Sequence, residues 1–157
     1  EEPYTIVMTV AESIDLSTYD FRLLATDIST RVLQKAVQGE YDAEKVQSVP
    51  QELLTKYFEK LKGQKGTVYR VRQEYRSLVT FRRLNLSVTP FPMKGPLDVV
   101  FCRNVMIYFD NEVRRRLLAE IYRLLRTGGY LMVGHAESLT GMVSDFKTVR
   151  PSVYIKE

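Results

Sequence analysis

Cysteine and histidine are nearly absent from the chain: there is one of each, Cys102 and His135, in 157 residues. One cysteine forms no internal disulfide, so the fold owes nothing to oxidation and a cytoplasmic setting is expected. One histidine with one cysteine also makes a Cys/His zinc site or a Cys–His nucleophilic pair improbable, and no metal is expected. No apolar run approaches the ~18 residues of a membrane span, and the first residues carry no leader pattern. The complete phosphate and nucleophile motifs are missing too. There is no G-x-x-x-x-G-K-[ST], no G-x-G-x-x-G and no G-x-S-x-G.

A further absence lies at the start. Glu1-Glu2-Pro3-Tyr4 has no initiator methionine, and a helical pattern is already under way there. The sequence is therefore expected to begin inside a domain.

What remains is ordinary for a globular domain with a real core: 45% hydrophobic and 27% charged residues. The net charge of +4 is unevenly spread. Residues 1–55 carry 4 basic and 10 acidic side chains, whereas residues 56–83 carry 9 basic and 2 acidic. The middle segment is either a basic field for an anionic partner or a solvated surface rich in lysine and arginine.

Along the chain, Ile6, Val7, Val10, Ala11 and Ile14 recur at helical spacing behind Pro3, which predicts a helix over about 3–13. Residues 21–27 read as a strand ending in Asp27, with Asp27 or Ser29 capping a helix that Gly39 stops. An acid at such a strand end either accepts hydrogen bonds from ribose hydroxyls or simply caps the helix. Residues 41–49 read as irregular, and a helix is expected over 51–61. Strand character at 68–72 and 78–82 predicts a small antiparallel excursion, about Gly66 to Phe81, within the most basic segment. The stretch 87–96, with Pro90, Pro92, Gly95 and Pro96, reads as a loop.

The next stretch, Asp98 to Asp110, carries the most information. Val99-Val100-Phe101-Cys102 reads as a strand buried on both faces, and it breaks abruptly into Arg103-Asn104. Ligands of open α/β sheets bind beyond the carboxyl ends of such strands. Asp110 caps a helix with Val113, Leu117, Leu118, Ile121, Leu124 and Leu125 as its apolar stripe and Gly128-Gly129 as its stop. Residues 130–135 read as a buried strand, Ala136 to Ser144 as a loop containing Ser138, Thr140 and Gly141, and 146–149 with 153–156 as a closing antiparallel pair. His135 at a strand end is read as structural rather than catalytic. Alternating strands and helices predict an α/β sheet with right-handed crossovers.

The residues Glu1-Glu2-Pro3-Tyr4, Ala25-Thr26-Asp27-Ile28-Ser29, Val71-Arg72-Gln73-Glu74, Asn85-Leu86, the run from Phe101 to Phe109, Gly128-Gly129-Tyr130-Leu131 and Gly134-His135-Ala136-Glu137-Ser138-Leu139 occur together in this order. With them the chain resembles the CheR family of chemotaxis receptor glutamate methyltransferases from end to end.

The resemblance implies a Rossmann-like α/β sheet that uses S-adenosylmethionine and yields S-adenosylhomocysteine, with a small antiparallel β excursion and the first strand missing from this sequence. It implies one catalytic domain over 1–157, with 66–81 as a β subdomain that docks receptors. Glu2 is expected near the methionine portion of the cofactor, Asp27 at the ribose, and Asn85 and Leu86 at the adenine. Arg103, Asn104 and Tyr108 are expected where methyl donor meets substrate, with Arg103 and Tyr108 catalytic.

The implied partner is the cytoplasmic domain of a methyl-accepting receptor, with no nucleic acid and no membrane insertion. The chain has Arg103-Asn104-Val105-Met106 where methyltransferases of base amines have an N-P-P-Y type loop. With the central strand missing, the sheet is expected to have an open seam, weak cofactor binding and a possible dimer that covers it. The alternatives are a methyltransferase of the same fold acting on another substrate, or a non-catalytic docking module.

Overall fold

A computed structural model describes residues 1–64, 66–137, 139 and 145–157. The chain divides into two compact units, Glu1–Leu84 and Asn85–Glu157.

The first unit opens with helix α1 (Glu2–Ser13), which has Pro3 in its first turn. Strand β1 (Leu23–Asp27) leads to α2 (Thr30–Gln38), whose first turn is capped by the Ser29 hydroxyl accepting from Val32 N–H. Gly39 ends α2 with φ 62°, the left-handed geometry expected of a glycine stop. Strand β2 (Glu40–Asp42) and short helices α3 (Ala43–Val46) and α4 (Gln51–Tyr57) follow. Next come β3 (Phe58–Gly63), β4 (Gly66–Val71), α5 (Gln73–Arg76) and β5 (Val79–Arg83).

Strands β1 and β5 pair in parallel, Leu23 opposite Val79 through Asp27 opposite Arg83. Strands β2, β4 and β3 form a separate antiparallel sheet in that spatial order. The core beneath them is built from Tyr4, Val7, Val46, Leu54, Tyr57, Phe58, Val71 and Val79.

This pairing corrects three sequence expectations. The helix predicted over 51–61 stops at Tyr57, because 58–63 pairs along β4 from Phe58 opposite Val71 to Gly63 opposite Gly66. The segment 41–49, read as irregular, contributes β2 and α3. The strand expected over 78–82 does not pair with 68–72; it lies parallel to β1, and the antiparallel sheet instead recruits 40–42 and 58–63. Both partners of β4 come from chain before it, which no local alternation reveals.

The second unit starts with the loop before β6 (Leu97–Cys102). A 3-10 turn (Met106–Tyr108) leads to α6 (Asn111–Leu124), capped by Asp110 accepting from Val113 N–H. Strands β7 (Leu125–Val133), β8 (Lys147–Arg150) and β9 (Val153–Ile155) complete a sheet in the order β6-β7-β9-β8, parallel at β6/β7 and antiparallel elsewhere. Cys102, Leu117, Leu118, Ile121, Leu124, Leu125, Leu131, Val133 and Tyr154 are its buried apolar residues on α6 and the strands.

Two further expectations change here. Gly128-Gly129 does not stop α6, which ends at Leu124 and passes directly into β7 through Leu125. Gly128, at φ 77°, lies instead inside β7, where the pairing with β6 jumps from Leu97–Leu125 to Val99–Tyr130. Extra residues on one strand with a glycine at positive φ are a bulge, and this one needs its glycine. In addition, the strand expected to be buried on both faces leaves Val99 and Phe101 43% and 41% exposed. Among the described residues β6 pairs only with β7, and β1 only with β5. Of the loop expected over Ala136 to Ser144, residues 138 and 140–144 lie outside the described residues.

Candidate active site

The carboxyl end of β6 gathers polar groups in the second unit. Cys102 is buried, and the next two residues, Arg103 and Asn104, emerge exposed. Asn104 has φ 59°, a left-handed conformation that asparagine tolerates better than most side chains. This reversal turns the chain from strand to 3-10 turn, so that Arg103, Asn104 and Tyr108 fall within one short exposed segment. Tyr108 is 79% exposed. Arg114 on α6 braces the turn by donating from Nε to the Met106 carbonyl at 2.8 Å.

One carboxylate holds this segment from behind. Glu137 Oε1 accepts from Val105 N–H and Met106 N–H, each at 2.7 Å. Its Oε2 accepts from Asn104 N–H at 2.6 Å and from Gly134 N–H at 2.9 Å. Burial acts to raise the Glu137 carboxyl pKa, but the N–H groups of Asn104, Gly134, Met106 and Val105 outweigh it and hold the group below its ordinary value. The same buried corner pushes the Cys102 thiol up to about 12, first by burial and then by the charge of Glu137. Cys102 is buried and its thiol is disfavoured as a thiolate, which suits a packing residue.

Asn85 and Leu86 begin the loop that precedes β6. The Asn85 carboxamide oxygen accepts from Ser87 N–H at 3.0 Å and from the Ser87 hydroxyl at 2.8 Å, an Asx turn that fixes the chain direction there. Further along, the buried Phe91 donates its N–H to Glu120 Oε1 at 2.7 Å and so ties the loop to α6.

In the first unit, Asp27 stands at the carboxyl end of β1. Its Oδ1 accepts from Ser29 N–H at 2.7 Å, and no described residue donates to Oδ2. Asp27 therefore does not cap α2 through its own side chain, a task that falls to Ser29. A half-buried carboxylate with an acceptor oxygen to spare, at the end of a parallel strand, suits a ribose diol. Glu2 lies exposed in the first turn of α1, on a separate element from Asp27.

The expected site residues thus divide between the units. Glu2 and Asp27 belong to the first, and Asn85, Leu86, Arg103, Asn104 and Tyr108 to the second. The residue that sequence reasoning left without a role is Glu137. Its signal was present, a carboxylate three positions beyond the glycine that follows β7, but three of its four described partners lie 31 to 33 residues earlier.

The family model described as "CheR methyltransferase, SAM binding domain" matches residues 1–155. The chain belongs to this family. Among similar proteins, the chemotaxis protein methyltransferase of Escherichia coli (strain K12) is 37% identical over 154 residues, covering 98% of this chain and 54% of the relative. Chemotaxis protein methyltransferase 2 of Pseudomonas aeruginosa is 38% identical over 154 residues, covering 98% and 55%. The chemotaxis protein methyltransferase of Borreliella burgdorferi is 36% identical over 158 residues, covering 99% and 54%.

The chain spans about half the length of the curated relatives it matches. Family membership settles S-adenosylmethionine as the ligand type of this CheR domain, and the spare oxygen of Asp27 is compatible with it. No helix among the described residues is long and apolar enough to cross a membrane.

Proposed function

We propose that the protein containing this CheR domain transfers a methyl group from S-adenosylmethionine to glutamate side chains on the cytoplasmic domain of chemotaxis receptors, forming methyl esters. The observation that carries this reading is the exposed Arg103-Asn104 pair, set at the carboxyl end of β6 in a domain matched to the CheR family over 1–155.

S-adenosylmethionine supplies an electrophilic methyl group on a sulfonium. In this reading Asp27 accepts from the ribose hydroxyls, Glu2 faces the methionine portion, and Asn85 and Leu86 flank the adenine. A substrate glutamate is ionised at pH 7 and needs no strong base to become a nucleophile. Arg103 holds its carboxylate by charge-assisted hydrogen bonds, and Asn104 completes the wall toward the donor. Tyr108 steers the approach through its hydroxyl. The protein's contribution is alignment, with one carboxylate oxygen left unencumbered toward the methyl carbon.

The domain reading assigns residues 1–157 to the catalytic domain and the β region around 66–81 to receptor docking. The sheet β2-β4-β3 lies largely in the segment with nine basic and two acidic side chains, which suits an acidic helical receptor surface. A cytoplasmic location follows from such a partner.

The test is transfer of labelled methyl from S-adenosylmethionine to purified receptor by the full-length protein, read as a base-labile ester. Arg103→Ala is expected to lower turnover by about 30-fold or more, the equivalent of ~2 kcal/mol for a charged hydrogen bond. Tyr108→Phe is expected to lower it less. Unchanged turnover in both folded variants removes the site assignment, and absence of ester on receptor removes the substrate.

A further inference from the structure

Of the two buried carboxylates among the described residues, Glu120 and Glu137, Glu137 lies against the segment that carries the proposed chemistry. Glu137 is 6% exposed, yet no cation is found among its hydrogen-bond partners in the described residues. Its donors among the described residues are backbone N–H groups, and three of them, from Asn104, Val105 and Met106, are consecutive. Consecutive N–H groups that converge on one anion form a concave nest, whose shape depends on the anion staying in place. Asn104 is the nest residue at positive φ. Without the carboxylate, three adjacent donors lose their acceptor, and the left-handed turn at Asn104 loses what compensates its cost. The fourth donor, Gly134, lies at the end of β7, and the Gly134 carbonyl accepts from Glu137 N–H at 2.9 Å. A methyl group on Gly134 would sit 2.5 Å from Glu137 Oε2, so the approach is also sterically closed.

We propose that Glu137 is a positioning residue of the methyl-transfer site. Its carboxylate fixes the backbone of residues 104–106, and so aims the Arg103 and Asn104 side chains at S-adenosylmethionine before anything binds. The proposal rests on the reading of Arg103 and Asn104 as site residues. It makes Glu137 act wholly through the backbone, without touching cofactor or substrate.

The experiment uses the full-length protein and its Glu137→Gln variant. Glutamine keeps an acceptor oxygen for Val105 and Met106 but turns an NH2 toward the N–H groups of Asn104 and Gly134. Binding of S-adenosylhomocysteine is measured by calorimetry alongside methyl transfer and thermal melting. A displacement near 1 Å is worth about 10²-fold in rate, so kcat/KM is expected to fall by that order. The Kd for S-adenosylhomocysteine is expected to rise at least tenfold in molecules that are still folded.

A merely structural role lowers the folded fraction and leaves the Kd of the folded molecules within about threefold, and that result overturns the proposal. If Glu137→Gln does not fold, Glu137→Asp, with the charge kept and the reach one methylene shorter, is read in the same way. Amide exchange in the unmodified, ligand-free protein gives an arm that needs no variant. The amides of residues 104–106 are expected to exchange slowly, and exchange at the rate of an open loop overturns the proposal. If the unmodified protein binds S-adenosylhomocysteine but methylates no receptor, the substrate reading fails alone, while binding and exchange still decide the role of Glu137.

Discussion

Glu120 offers a direct test of how the loop before β6 is held. It lies on α6, 7% exposed, and its carboxylate serves two partners. Phe91 N–H, in a residue itself 6% exposed, donates to Oε1 at 2.7 Å. Arg123 donates from Nη2 to Oε1 at 2.7 Å and from Nε to Oε2 at 2.9 Å. The Arg123 side chain is half exposed, so its share of the stability is small. The weight falls on Phe91. Glu120→Ala leaves a buried N–H with no acceptor where it had a charged one, which costs about 2–3 kcal/mol. Glu120→Gln keeps a neutral acceptor at the same reach and costs about 1 kcal/mol, the difference between a charged and a neutral bond. Arg123→Ala, which leaves the Phe91 bond intact, is expected to cost less than either.

The pH dependence has a definite sign. The Arg123 hydrogen bond holds the Glu120 carboxyl below its ordinary value against the opposing effect of burial, and the Phe91 N–H adds to the lowering. A carboxyl lowered in the folded state contributes stability above its unfolded pKa and loses it as pH falls through the folded one. The gap between the parent and Glu120→Gln should therefore be widest near pH 7 and close below about pH 4. Urea unfolding of the full-length proteins, at several pH values and with slopes compared, measures this. A Glu120→Ala variant within 0.5 kcal/mol of the parent at pH 7 refutes the reasoning, on the ~0.5 kcal/mol scale of neutral surface substitutions.

Three other outcomes follow from single contacts. Gly95→Ala places a methyl carbon 2.4 Å from the Leu124 carbonyl oxygen, which is backbone and cannot swing aside. A loss of about 1–3 kcal/mol is expected in the same unfolding assay, and a neutral result shows that the loop moves freely over α6. Cys102, with its thiol pushed up to about 12, holds about one thiolate in ten thousand at pH 8. Ellman's reagent should label it only after denaturation, and labelling of the native protein at the rate of an exposed cysteine contradicts the packing around Glu137. For Glu137, lowered by its four N–H donors against burial, stability is again present at neutral pH and lost in acid. The acid side of the stability profile should be shallower in a folded Glu137→Gln variant than in the parent, and an unchanged slope counts against the four bonds.

Much of this architecture is legible in the sequence where one residue decides the outcome locally. Gly39 stops α2, Asp110 caps α6 and the run before Arg103 is a strand, because a left-handed cap, a side-chain acceptor and an apolar run each act over a few residues. Legibility fails where pairing at a distance outvotes local pattern. Leu54, Tyr57, Phe58 and Leu61 fit a helical stripe, yet Leu61 and Gly63 also alternate with Lys60 and Lys62, and the available edge of β4 selects the strand. Gly128 has the chemistry of a helix stop and is used for a strand bulge, since both need positive φ.

The two buried carboxylates follow one rule that sequence pattern alone does not show. A loop buried against a sheet or helix must satisfy its N–H groups without a neighbouring strand, and a carboxylate can accept several at once. Glu120 does this for the loop that begins with Asn85 and Leu86, through one backbone donor and one side chain. Glu137 does it for the segment that carries Arg103 and Asn104, through four backbone donors. Losses of this kind scale with the number of buried donors left behind, so Glu137→Ala should destabilise more than Glu120→Ala, and Glu120→Ala more than Glu120→Gln. The inverse order would mean that the cation partner, and not the backbone, sets the value of these charges. In that case the turn at Asn104 would have to hold its shape through Arg114 and the 3-10 turn alone, and Glu137 would lose its claim to a positioning role.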